Sequence, residues 1–96
     1  MKEIHSESTD RLFKAILNLS SVDECYDLFE DLCTIKEIKD MSQRLEVAFL
    51  LSEGCSYQKV SEITSVSSAT ISRVKRCLDY GTGGYATVIK RLEEKK

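Results

Sequence analysis

The chain has no proline and only four glycines, three of them gathered at Gly81, Gly83 and Gly84. With so few helix breakers and 42% hydrophobic residues, the composition reads all-α. The single histidine, His5, leaves no Ser/His or Cys/His pairing for nucleophilic catalysis, and the acids fall on solvated helix faces, so an enzyme is not expected. Cys25, Cys33, Cys55 and Cys77 have no CxxC or other metal spacing. No metal or cofactor is expected, and the thiols read as small buried hydrophobes of a reduced protein. No apolar run reaches about 18 residues, which argues against a membrane span. Met1-Lys2-Glu3-Ile4-His5 lacks an apolar secretion signal. These absences together predict a cytoplasmic protein. Gly81-Thr82-Gly83-Gly84 has neither the preceding strand nor the Gly-Lys-Ser/Thr ending of a phosphate loop, and reads as an elbow.

Net charge is −2, but it is unevenly spread. Residues 21–53 hold nine acids against three bases, whereas residues 54–96 hold eight bases against four acids. A nucleic-acid partner responds to a local basic patch rather than to the sum. Ninety-six residues make one small domain, with a helical dimerisation core at 8–53, a two-helix unit at 56–79 and a last helix at 85–94.

Helical periodicity predicts six helices. The first, 8–19, carries Leu12, Phe13, Ile16, Leu17 and Leu19. The second, near 22–33, carries Val22, Cys25, Tyr26, Phe29, Leu32 and Cys33, and Ser21 with Glu24 makes a capping box for it. Thr34 with Glu37 makes another and opens a long helix over 35–53, with Gly54 as its stop. Helices near 57–64, 68–79 and 85–94 follow, and the Lys-Glu-rich end should fray. A chain this small covers its apolar faces poorly alone, which favours a homodimer sharing one core.

Residues 57–76 carry the functional signal. Val60 and Ile63 lie on a short helix, and Ile71, Val74 and Leu78 make one stripe of the next. Thr64-Ser65-Val66-Ser67 breaks the periodicity between them. Ser67 is a good N-cap, Val66 can fill the angle, and Ser61 is small where the helices should approach. The pattern is that of a DNA-binding helix-turn-helix, except that Ser65 stands where glycine is usual. A β-carbon there disfavours positive φ. The outward face of the second helix presents Ser68, Ala69, Ser72, Arg73 and Arg76, short polar residues for base edges followed by arginines for phosphates. With Lys59, Ser67 and Lys75 they form the expected DNA-binding set. A plain helical hairpin is the alternative.

These features resemble the Trp repressor family, and within it the small Trp-repressor-like group of the YerC/YecD type. The resemblance spans roughly residues 10–93. It rests on the long helix with Met41-Ser42-Gln43-Arg44, on Ala69-Thr70-Ile71-Ser72-Arg73, and on the tail Asp79-Tyr80-Gly81-Thr82-Gly83-Gly84-Tyr85. It implies a six-helix fold with a helix-turn-helix, in an intertwined homodimer whose first three helices interlock. It also implies a small-molecule effector site, with Thr34, Arg44, Thr70 and Arg73 at the matching positions. The tryptophan-binding members have glycine where this chain has Val74 and serine where it has Cys77. Valine in a packed site adds volume, and overpacking costs about 1–3 kcal/mol, so tryptophan is a doubtful effector. The pocket would hold a smaller ligand such as another amino acid, or be filled by side chains. The leading reading is a dimeric, sequence-specific DNA-binding repressor acting at a double-stranded operator. The alternatives are a DNA-binding module without an effector and a helical protein-interaction adaptor.

Overall fold

The computed structural model describes residues 2–95. Met1 and Lys96, which belong to the expected signal-free N-terminus and frayed end, lie outside the described residues. Six α-helices follow a short 3-10 turn at Lys2–Ile4: α1 (Glu7–Leu17), α2 (Val22–Leu32), α3 (Ile35–Ser52), α4 (Tyr57–Thr64), α5 (Ser68–Tyr80) and α6 (Gly84–Glu94). There is no strand among the described residues. Two compact units divide the chain, the first ending at Ile35 and the second starting at Lys36.

In the first unit, local chemistry sets the helix ends. The Ser6 hydroxyl accepts from the Thr9 N–H at 3.1 Å and starts α1. Asn18 ends it, its Nδ2 donating to the Lys14 carbonyl at 2.7 Å. Ser21 N-caps α2, accepting from the Glu24 N–H at 3.1 Å. The reciprocal arm of the expected capping box reaches one residue further back. Glu24 Oε1 accepts from the Ser20 N–H at 2.7 Å and the Ser20 hydroxyl at 2.9 Å. Those two bonds, the backbone one foremost, hold the Glu24 carboxyl below the usual carboxylate range. Neither α1 nor α2 has a buried residue. Phe13, Leu17, Val22, Tyr26 and Leu32 are all exposed, Leu17 to 82%.

The second unit has a core. Val47 and Ala48 of α3, Val60 of α4, Ile71 and Val74 of α5 and Ile89 of α6 form its buried cluster. Phe49, Leu50, Leu51, Cys55, Val66, Leu78 and Tyr85 pack around it. Thus Val66 does fill the angle between α4 and α5. Ile63 does not share that burial: it is 52% exposed, and Ser61 is exposed too. A helix of eight residues turns only one position, Val60, fully inward. The cysteines also differ from expectation, because Cys25 and Cys77 are exposed and Cys33 and Cys55 only half-buried. Cys25 lies on a helix that buries nothing in this chain, and Cys77 lies beside the buried stripe of α5 rather than on it.

The turns follow the residues. Gly54 has φ +92°, and α3 ends in paired bonds from the Gly54 N–H to the Leu51 carbonyl (3.0 Å) and from the Cys55 N–H to the Leu50 carbonyl (3.1 Å). This is the double closure that a left-handed glycine permits. Ser65 adopts the left-handed conformation at φ 60°, ψ 16° that its β-carbon resists. Ser65→Gly should therefore raise stability by about 0.5–1 kcal/mol, the relieved strain exceeding the entropy glycine gains when unfolded. Thermal unfolding at fixed protein concentration checks this, and a lowered midpoint would refute it.

Gly81 ends α5 for a different reason. Its φ is ordinary, but a β-carbon there would collide with the Cys77 carbonyl oxygen, which the Gly81 N–H bonds at 2.8 Å. Gly81→Ala must break that closure and should destabilise by about 1–3 kcal/mol. The alanine variant at Gly84, where a β-carbon meets open space, serves as its control in the same melt.

Candidate nucleic-acid interface and the cleft beside it

The α5 helix separates two jobs by face. Ile71 and Val74 are buried and Leu78 half-buried, while Ala69, Ser72, Arg73, Arg76 and Tyr80 form an exposed stripe on the other side. The sequence spacing required this division, since i, i+3, i+4 and i+7 share a helix face. Ser67 N-caps the helix at φ −68°, ψ 153°, accepting from the Thr70 N–H at 3.2 Å. That cap orients the first turn, where Ser68 and Ala69 are exposed.

The cations are not equivalent. Lys59 on α4 and Arg73 and Arg76 on α5 are exposed and make no ion pair among the described residues. Lys75 is half-buried, and its Nζ pairs with Asp79 Oδ1 at 3.2 Å. An exposed i, i+4 pair is worth only about 0.3–0.5 kcal/mol, so a phosphate can take the lysine at small cost.

A cleft of about 280 Å³ lies between α3 and the start of α5. Lys36, Asp40, Gln43, Arg44, Val66, Ser67 and Thr70 line it. Two of the four expected effector residues, Arg44 and Thr70, thus meet at one cavity. Arg73 does not line it and stands on the exposed stripe, while Thr34 belongs to the first unit. Val74 does not line it either. Its side chain, 1% exposed, fills the core with Val60 and Ile71. The valine therefore adds volume to the core rather than to the open cleft. Sequence reading missed Lys36, Asp40 and Gln43. The signal was present, because 36, 40, 43 and 44 share one face of a helix at i, i+4, i+7 and i+8.

Residues 7–93 match the family described as Trp repressor protein. The chain belongs to the Trp repressor family. It is 49% identical over 92 residues to the uncharacterized protein YerC of Bacillus subtilis (strain 168), an alignment covering 96% of this chain and 88% of that one. A TrpR-like protein from Eubacterium eligens ATCC 27750, solved by crystallography, superposes with a TM-score of 0.93 at 48% identity, covering 97% of this chain and 96% of the other. A candidate Trp repressor from Staphylococcus aureus superposes at 0.92 with 41% identity, covering 96% and 92%. The Trp repressor family is one of transcription regulators, and this member shares its all-helical fold along nearly the whole chain. No helix among the described residues is long and apolar enough to cross a membrane.

Proposed function

We propose that this protein is a dimeric transcription regulator that represses by occupying a DNA operator, with α4 and α5 as its helix-turn-helix. The observation that carries this reading is the exposed stripe of α5, with Ser68, Ala69 and Ser72 toward its start and Arg73 and Arg76 after them, opposite the face that buries Ile71 and Val74. Ser68, Ala69 and Ser72 meet base edges. Lys59, Ser67, Arg73, Lys75 and Arg76 meet phosphates. Short side chains reach few bases, so bridging waters and DNA shape supply part of the specificity. Membership of a family of transcription regulators supports the same conclusion.

The first unit supports the dimer. Two amphipathic helices that bury nothing in one chain need a second copy to cover them. A small effector, an amino acid among the candidates, acts at the cleft through Arg44 and Thr70. The open cleft at Arg44 and Thr70 supports that part over a pocket filled by side chains.

Selection of bound sequences from random DNA, with and without pooled amino acids, tests the proposal. A palindromic site with half-sites about 34 Å apart is the expected result. Failure to enrich any sequence, with or without amino acids, would contradict it.

A further inference from the structure

The cleft between α3 and α5 has a chemistry of its own. Its volume of about 280 Å³ lies just under the roughly 300–1,000 Å³ of most small-molecule sites. Val66 is its one apolar lining residue, and no ring lines it. An aromatic ligand would leave water there for almost no apolar contact.

The charges in it are arranged unequally. Lys36 Nζ donates to Asp40 Oδ2 at 2.8 Å. That bond is the main reason the Asp40 carboxyl is held below the usual range; burial opposes it, and the charges of Lys36 and Arg44 add smaller effects in the same direction as the bond. At neutral pH Asp40 is ionised and already engaged by a lysine. Arg44, in contrast, makes no hydrogen bond or ion pair among the described residues. Its planar fork of five N–H donors is unspent. Across the cleft, the Ser67 and Thr70 hydroxyls lie 3.1 Å apart in one hydrogen bond. Two cations against one carboxylate leave the lining with one net positive charge.

We infer that this cleft, lined by Arg44, Ser67 and Thr70, binds a small hydrophilic oxyanion, a phosphate or carboxylate, rather than an aromatic amino acid. Arg44 takes two of its oxygens as a bidentate pair, the Thr70 and Ser67 hydroxyls turn to donate to it, and Gln43 is at hand for the rest of the ligand. Its role as effector rests on the regulator reading above; its binding does not. The same group can come from a free metabolite or from a DNA backbone phosphate.

The test is an NMR titration of the full-length protein in phosphate-free buffer, with inorganic phosphate as probe. The signals read are the Arg44 Nε–H and the Thr70 backbone N–H. Saturable shifts at both are expected, with affinity falling at least tenfold in Arg44→Gln and staying within twofold in Lys90→Gln, a change at an exposed position of α6. L-tryptophan should give no saturable shift at either signal. A second arm adds a random-sequence duplex. If the duplex alone moves the Arg44 signal and removes the phosphate response, the oxyanion is a DNA phosphate; if the phosphate response survives, it is a free anion. No saturation by phosphate, equal weakening in both variants, or saturation by tryptophan would overturn the inference. DNA binding measured on the same samples keeps the two ideas apart. Intact DNA binding with a silent cleft overturns this inference alone, and a responsive cleft without DNA binding overturns the regulator reading alone.

Discussion

Dilution should lower the unfolding midpoint of this protein by about 3–6 °C for each tenfold fall in concentration. Association linked to folding shifts stability by about 1.4 kcal/mol per decade, and a dimer of two 96-residue chains that unfolds as one unit moves about 2–4 °C per kcal/mol. The physical cause is the first unit. Leu17, Val22 and Tyr26 are 82%, 71% and 61% exposed in one chain, on helices with clear apolar faces. Leu17→Glu separates the possibilities. On the surface of a stable monomer such a change stays within about 0.5 kcal/mol. Inside a dimer core it buries an unpaired carboxylate at a cost of several kcal/mol and should break the assembly. Sedimentation of both proteins at micromolar concentration checks this. A wild-type protein of 10.9 kDa in solution, with a midpoint independent of concentration, would remove the dimer from the account.

A second large effect is expected on the DNA face, where readers and anchors should separate. Changing Ser68 or Ala69 should alter which operator is preferred while leaving non-specific affinity nearly constant, since a missing interaction with one base costs about 1–3 kcal/mol only at its own site. Arg76→Ala should weaken binding to every duplex by a similar factor. Lys75→Ala should do less than Arg76→Ala, because Lys75 must first leave Asp79. Competition binding against operator and random duplexes measures both. Equal losses from Ser68 and Arg76 variants on random DNA would mean the face is misassigned.

Local chemistry is what made this fold legible. Gly54, Ser65, Ser67 and the Ser21 cap act within four residues, so their positions in the sequence state their geometry. The bounds of α4 and the start of α5 follow from them. The stripe on α5 was legible for a similar reason, since one helix face repeats every three or four residues. What depended on partners was not. Ile63 has the spacing of a core residue, yet α4 is too short to bury it. Cys25 looks like a buried hydrophobe because α2 is amphipathic, yet it is exposed and no residue of that helix is fully buried. Arg44 and Thr70 came from the family resemblance. That Lys36, Asp40 and Gln43 join them needed α3 set against the start of α5, a relation between segments more than twenty residues apart in the sequence. The place of Val74 was of the same kind: its spacing marked it as core, and only the packed helices showed that it stays out of the cleft.

The central claim is that the exposed stripe of α5 holds DNA. Its most direct test is a salt titration of wild type and Arg76→Ala on a selected duplex and on a random one. The logarithm of affinity should fall linearly with the logarithm of salt concentration. The slope should drop by about one for each phosphate the protein no longer neutralises, hence by about two for a dimer on a palindromic site. The same reduction should appear on both duplexes, because phosphates carry no sequence. An unchanged slope on both would show that Arg76 does not touch DNA and would contradict the account.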